Sequence, residues 1–392
     1  MEKNYESNIR LYYLYKVLTQ PFLLAPVLAI FLLSRGLSLP QVFLLEGLYG
    51  FASMALELPT GAFSDLLGRK KTMIIASVFF TISTITYSLS YGFAQFLLSE
   101  LIFGIGCAFL SGTDSAFLYD TLKKMKREGE YTKIEGRARS YSLAAAIPGT
   151  GIAGFIAASS LVYPFYLTIL MMASSVLVAM AFAEPIVIKM KRYDVMDHVR
   201  QMKRGVSMAF KSRPVTWFLL FTALIGAFSG VSYWFYQPYM QQVGIDIAMF
   251  GIVFALMNMV AAVSSMFASK IEKKIGEGMS LLIMASFMIA SFALMGVFMT
   301  AACVALFFMQ QFVRGFGWPV LMGYLNRHIK SGERATILSV TSLFDGLVSS
   351  IMLILTSWIV GAFSMQVSLE FSAVVLFACI LPLLIFRKHR LG

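Results

Sequence analysis

Long apolar blocks fill most of this chain, separated by short polar or basic intervals. Representative blocks are Val17–Leu33, Thr72–Leu89, Leu161–Ala183, Leu281–Met299 and Val374–Phe386. Each approaches the ~20 residues that a helix needs to cross the hydrocarbon core of a bilayer, some with help from flanking residues. A soluble helical protein would interleave polar faces, which these blocks lack. The pattern predicts an all-α integral membrane protein with twelve spans, at 12–34, 41–63, 72–91, 94–118, 138–160, 162–183, 215–240, 247–269, 279–299, 301–326, 336–361 and 366–386. The longest connector, 184–214, divides an N-terminal six-helix half (1–183) from a C-terminal one (215–392). Within it, Val195, Val199, Met202, Val206 and Phe210 recur at helical spacing, with Arg200, Lys203 and Arg204 between them. That predicts an amphipathic helix lying on the membrane surface.

Composition supports this class. Of 392 residues, 58% are hydrophobic and 13% charged, and mean hydropathy is +0.77; soluble proteins carry roughly 25% charged residues. The net charge of +12 would suit nucleic acid if it formed one soluble basic face, but its placement says otherwise. Of the 32 Lys and Arg, all except Arg35 and Arg314 fall in every second loop or at the termini. This positive-inside bias predicts a multi-pass protein of the cell (inner) membrane with both termini cytoplasmic, and no nucleic-acid partner. Cys107, Cys303 and Cys379 all lie in apolar blocks, so no disulfide framework is expected. The first block follows sixteen polar or mixed residues without a small-residue cleavage site, so no cleavable signal is expected either.

The halves repeat. Gly104-Ile-Gly106 with Gly112 six residues on is matched by Gly315-Phe-Gly317 with Gly323. Each is followed by an inside loop carrying Arg-Ala, at Arg137 and at Arg334. Parallel six-helix repeats are one of the transporter plans, with the substrate site between the halves.

Between the second and third spans the chain reads Gly61-Ala-Phe-Ser-Asp65-Leu-Leu-Gly68-Arg69-Lys70-Lys71. Gly68 permits a tight reversal, and Asp65 is available to cap a helix start or pair with a base. The glycine, aspartate, glycine, arginine spacing resembles the cytoplasmic signature of the major facilitator superfamily, and the resemblance covers essentially the whole chain. The second-half equivalent, from Ala268 through Glu272 to Gly276, is degenerate. The family's fourth helix often carries an arginine ahead of Gly-x-Gly, linked there to proton coupling; this chain has Glu100, so that role does not carry over. The family's exporter pattern on helix five is met in part by Ile147-Pro148-Gly-Thr-Gly151-Ile152, which leans toward export. The segment Ser111–Asp120 resembles a bacterial branch of the superfamily, and the whole is drug-efflux-like.

Charges inside spans need a cavity or a partner, because each costs roughly 2.5–3.5 kcal/mol at mid-membrane. In the second span Glu46, Gly50, Ser53, Glu57 and Thr60 share one helical face. The fourth repeats this with Glu100, Gly104, Cys107, Ser111 and Asp114, and the eleventh with Thr341, Asp345, Ser349 and Thr356. Candidates for proton coupling or substrate contact are therefore Glu46, Glu57, Glu100, Asp114, Arg314 and Asp345. Glu57 and Asp114 are read equally as structural partners of Arg69 or another base. Arg314 is read equally as a counter-charge for Asp345 or a grip on an anionic substrate. Glu100 is the leading proton carrier, since burial disfavours its charged form and lets protonation accompany a conformational change. Pro21, Pro26 and Pro148 are gating candidates, because proline frees carbonyls and permits bends. Tyr233–Tyr239, rich in aromatics, is expected to form an interfacial belt and a possible outer gate.

No phosphate-binding loop, His/Cys metal spacing or nucleophile elbow is present in the sequence. The expectation is a non-enzyme without cofactor or metal, driven by a proton gradient. Its partners would be protons, the lipid bilayer and a small-molecule substrate, and it would function as a monomer. The first reading is a proton-coupled efflux antiporter working by alternating access. The alternatives are an importer of a nutrient or organic anion, and a non-transporting receptor or scaffold in the same fold.

Overall fold

A computed structural model describes residues 5–185, 205–329 and 333–386, and within them all side chains except those of 57–66 and 335. In chain order the helices are α1 Tyr5–Leu18, α2 Leu28–Ser34, α3 Leu39–Leu67, α4 Arg69–Leu89, α5 Phe93–Leu110, α6 Thr113–Lys124, α7 Tyr131–Ser159 and α8 Tyr163–Ala181. There follow α9 Arg213–Gln242, α10 Ile247–Phe298, α11 Leu306–Arg327, α12 Arg334–Ala362 and α13 Met365–Ile385. Short 3-10 turns at Glu128–Glu130 and Ala301–Ala305 lead into α7 and α11. The described residues contain no strand.

Nine helical stretches among the described residues are long and apolar enough to cross a membrane. One of them, α10, holds two helical runs that meet at Gly276 (φ 77°, ψ 170°). The left-handed backbone there favours glycine. Gly68 (φ 92°) does the same between α3 and α4.

Two expected spans are interrupted. The span expected over 12–34 is broken between α1 and α2, where Pro21 and Pro26 stand. Pro21 has no N–H to continue the ladder. The Gln20 amide turns back to the Val17 carbonyl (3.2 Å), and the Lys16 carbonyl accepts the Ser142 hydroxyl of α7 (3.0 Å). Irregular backbone at membrane depth is tolerated only where protein or water covers it; Leu23, Leu24 and Val27 are buried. The span expected over 94–118 also divides, because Gly112 takes a left-handed conformation (φ 71°) between α5 and α6. Pro148, by contrast, sits inside an unbroken α7. Of the expected amphipathic connector, Val195, Val199, Arg200, Met202, Lys203 and Arg204 lie outside the described residues. Val206 and Phe210 fall on the described helical run 205–211 and are exposed. The Phe210 ring nonetheless meets Phe344 of α12 edge-on (centroids 6.0 Å).

The chain forms two compact units. The first comprises the described parts of Met1–Gly36, Ala52–Val195 and Ile247–Ala255; the second, those of Leu37–Phe51, Met196–Asp246 and Leu256–Gly392. The core of the first unit gathers Tyr12, Tyr15, Met73, Phe117, Leu122 and Phe182. Buried tyrosine hydroxyls must be bonded: Tyr15 donates to the Met73 carbonyl (3.2 Å) and accepts from Ser77 (3.1 Å). In the second unit the Trp217 indole N–H donates to the Leu383 carbonyl (2.8 Å), tying α9 to the end of α13.

Backbone-to-backbone approach fixes the tightest crossings. In the first unit a Cβ at Gly154 of α7 would stand 2.6 Å from the Gly251 nitrogen, and one at Gly251 would stand 2.6 Å from the Gly151 carbonyl oxygen. Small residues that let membrane helices touch in this way are a general packing device. Within the exporter-like motif itself, Gly149 has a packing explanation, since a Cβ there would run into the Phe22 ring. Gly154→Val is therefore expected to lower the apparent melting temperature of the detergent-purified protein, at a cost of ~1–3 kcal/mol from overpacking. Gly230→Ala, where a Cβ would meet open space, is expected to leave it unchanged or slightly raised. Fluorescence-monitored melting of both variants checks the contrast.

Candidate functional site

The charged residues of the first unit sort into a bonded network at the basic end and one acid deeper in the span. At the basic end, Lys16 of α1 pairs with Asp114 of α6 (2.8 Å) and Glu135 of α7 (3.4 Å). The Tyr12 hydroxyl donates to Glu135 (2.6 Å). Arg69 meets Asp120 of α6 (3.4 Å), and the Glu184 carboxylate accepts the Lys70 amide (3.1 Å) at the start of α4. An anion there complements the helix dipole. Arg127 clasps Glu130 (2.6 Å) and Glu6 (2.8 Å) and holds the Glu130 carboxyl below the ordinary carboxylate range. The partner of Asp114 is therefore Lys16, which the sequence reading did not single out. Gly61, Asp65 and Glu57 of the signature region lie outside the described side chains. The described part of that loop contributes the Gly68 turn and the Arg69–Asp120 contact.

Glu100 stands apart from this network. It is 7% exposed on α5 and accepts a hydrogen bond from the Tyr87 hydroxyl of α4 (3.0 Å). Tyr87 in turn packs on Phe96 (5.1 Å) and stacks on Phe165 (5.8 Å), and both of those rings meet Phe31 (6.2 and 4.1 Å). Among the described residues no Lys or Arg lies within 4 Å of its carboxyl. A buried carboxylate without a cation is expensive, and taking up a proton removes that cost.

The second unit holds the other group. Glu46, on the part of α3 that belongs to this unit, is 8% exposed. Tyr233 of α9 lies within electrostatic reach of both Glu46 and Arg314. Gln311 of α11, buried, donates from Nε2 to the Tyr236 hydroxyl (3.3 Å), which is itself 3.2 Å from the Ser232 hydroxyl. Arg314 is exposed, and its Nη1 donates to Gln311 Oε1 (3.1 Å). Asp345 of α12 lies against Gly226 of α9, where a Cβ would crowd its carboxyl carbon at 3.0 Å. The Asp345 Oδ1 is buried with no hydrogen-bond partner among the described residues. The structure does not bring Arg314 and Asp345 together: no ion pair joins them within 4 Å.

Two expectations change. Thr341 and Thr356 on the α12 stripe turn their hydroxyls back to their own helix (2.9 and 2.7 Å) and are buried, so that stripe is only partly open. The Tyr233–Tyr239 segment is not an interfacial belt. Phe235, Tyr236, Gln237 and Tyr239 are at most 1% exposed, with Phe235 against Phe43 (4.7 Å) and Tyr236 against Phe307 (4.4 Å). Aromatics with one polar tip fit a packed helix interface as well as a lipid boundary when the tip finds a partner. Gln311 was missed as a site residue, although its place three residues before Arg314 puts both on one helical face.

The model of the Major Facilitator Superfamily matches residues 19–303 and 236–391. The chain is 22% identical over 335 residues to the uncharacterized MFS-type transporter YxaM of Bacillus subtilis (strain 168), covering 81% of this chain and 80% of that one. It is 26% identical over 144 residues to the quinolone resistance protein NorA of Staphylococcus aureus (strain MRSA252), covering 37% of this chain and 36% of that one. The crystal structure of the nucleoside transporter NupG superposes with a TM-score of 0.80 at 12% identity, covering 98% and 99% of the two chains.

The Lys16–Asp114 pair gives a direct test of architecture against transport. Asp114→Leu alone is expected to destabilise the protein by ~1.5–3 kcal/mol, the range for a lost hydrogen bond to a charged group. Lys16 keeps Glu135 as a partner in that variant, so adding Lys16→Met is expected to lower stability further by leaving Glu135 without a cation. Melting curves of the single and double variants read this, and retained flux in the double variant assigns the pair to architecture.

Proposed function

The chain belongs to the Major Facilitator Superfamily, and from that premise we propose that it exports a small molecule by alternating access, with proton movement through Glu100 as the driving step. Membership in a family of membrane transporters gives the chain transport as its general activity. The observation that carries the coupling is the setting of Glu100, buried, with a ring-packed tyrosine as its hydroxyl donor and no cation within 4 Å among the described residues. Such a group is stable when neutral and costly when charged. A conformational change that alternates its access to water would therefore alternate its protonation. The Tyr87 hydroxyl both orients the carboxyl and serves the charged form as a donor.

Export as the direction is supported by likeness, over 37% of the chain, to a quinolone resistance protein. The partial exporter motif around Pro148 points the same way. In this reading the membrane is the cell membrane, the basic loops face the cytoplasm, and the transported partners are one substrate and protons.

Overexpression is expected to lower cellular accumulation of a fluorescent toxicant such as a fluoroquinolone; raised accumulation would reverse the direction. Glu100→Gln keeps the volume and a hydrogen-bonding group beside Tyr87, and is expected to fold and express normally. In membrane vesicles with an imposed pH gradient its flux is expected to fall to background. Undiminished gradient-driven flux in that variant rejects Glu100 as the coupling group.

A further inference from the structure

We propose that Arg314 is the recognition residue for a negatively charged group, carboxylate or phosphate, on the transported molecule. This rests on the reading of the chain as a small-molecule transporter, and is independent of direction and of coupling.

Arg314 lies eight residues into α11 (Leu306–Arg327), about 12 Å along its axis. A guanidinium that far from a helix end is poorly placed to reach the interface by extending its side chain. It is exposed all the same, and exposure to hydrocarbon is the costliest setting for this group. An aqueous pathway is the remaining setting. Nothing within its unit neutralises it at contact range: no carboxylate of the described residues lies within 4 Å, and its hydrogen bond goes to the neutral Gln311. Asp345, the counter-charge the sequence suggested, lies against Gly226 instead. Glu46 shares the surroundings through Tyr233 without coming within ion-pair distance of Arg314.

The guanidinium is held in place by neighbours that leave most of it free. Gln311 donates to the Tyr236 hydroxyl, and Tyr236 is fixed by Ser232 (3.2 Å) and by packing on Phe307 (4.4 Å). The amide is thereby oriented with its oxygen toward Arg314 Nη1 (3.1 Å). A guanidinium has five N–H donors in a planar fork, and one of them is engaged here. The rest match the two oxygens of a carboxylate or phosphate, a geometry that lysine does not offer. One turn further along the same face, Trp318 is 51% exposed. Its exposed ring suits an organic anion that carries a planar ring.

The test uses the full-length protein in detergent, without membrane or gradient. Binding of four aromatic probes of similar size is followed by thermal shift and tryptophan fluorescence: benzoate, phenyl phosphate, benzamide and benzyltrimethylammonium. At millimolar concentration benzoate, phenyl phosphate or both are expected to bind, and benzamide and the ammonium probe at least tenfold more weakly. The tighter of the two anions identifies the group recognised. Arg314→Gln is expected to weaken anion binding at least tenfold, with Arg314→Lys intermediate, since it keeps the charge and loses the fork. Either variant that purifies as a monodisperse peak suffices. Absence of anion binding to the parent protein, a preference for the cation, or unchanged anion affinity in Arg314→Gln overturns the assignment. Binding in detergent involves no gradient, so a failure of the coupling reading leaves these affinities unchanged, whereas a failure of this one shows in them directly.

Discussion

A polar group in a bilayer must find its partner inside the protein or face water, and the architecture of this chain follows from that requirement. Backbone groups satisfy it by forming helices. Where the helix fails, protein covers the gap. Between α1 and α2 the prolines interrupt the ladder, and the freed Lys16 carbonyl is taken by Ser142 of α7. The same rule sorts the side chains. Serine and threonine hydroxyls along α4, α7, α8, α12 and α13 bond back to carbonyls three or four residues earlier. A polar stripe read from sequence therefore overstates how much of a helix is wet. Thr341 and Thr356 are cases in point, since each is satisfied without any solvent at all.

Those residues that cannot satisfy themselves locally carry the functional argument. Asp114, Glu135 and Lys16 neutralise one another at one end of the first unit. These contacts link α1, α6 and α7. Glu100 and Arg314 have no such counter-ion within 4 Å among the described residues. They differ in the opposite sense as well: the acid is buried and the base is exposed. A buried acid changes its charge most easily by changing its proton, whereas an exposed arginine keeps its charge at every accessible pH. The first chemistry suits coupling and the second suits recognition.

Much of the fold was legible because hydrophobic period and charge placement are strong, redundant signals. The apolar blocks, the basic alternate loops and the glycine repeats all pointed to one class, and the family match spans the chain. The repeat extends to packing: Gly106 of α5 faces Ala76 and Phe80 of α4, and Gly317 of α11 faces Met284 of α10. Even the degenerate second copy of the signature keeps its turn, since Gly276 adopts the same positive φ as Gly68. Side-chain identity drifted there while the backbone requirement did not. What was not legible depends on rotamers and on contacts across the sequence. Lys16 and Asp114 are 98 residues apart, and no local pattern pairs them. The aromatic run 233–239 carries the composition of an interfacial belt, yet Phe235 and Tyr236 have partners in Phe43 and Phe307, which only the packing reveals. Breaks at Gly112 and at Pro21–Pro26 were visible as residues but not as interruptions, because a single proline or glycine is tolerated in many membrane helices.

The departure at position 100 links these threads. Members of the family that carry an arginine ahead of Gly-x-Gly place a permanent cation on this helix, whereas this chain places an acid there and a permanent cation on the repeat-related helix. Gly104 and Gly106 follow Glu100 at four and six residues; Gly315 and Gly317 follow Gln311 at the same spacing. Gln311 is therefore the repeat counterpart of Glu100, and each meets a tyrosine hydroxyl: Tyr87 donates to Glu100, whereas Tyr236 accepts from the Gln311 amide. The framework is shared and the ionisable group is not. In the first unit the tyrosine serves an acid that can lose or gain a proton. In the second it fixes a neutral amide whose remaining oxygen steadies an arginine. The repeat therefore extends to the glycines and to the position of the acid or amide, whereas the tyrosines come from helices that are not repeat-related, α4 and α9. The proposed division of coupling and recognition rests on two differences at that offset, Glu100 against Gln311 and Phe103 against Arg314.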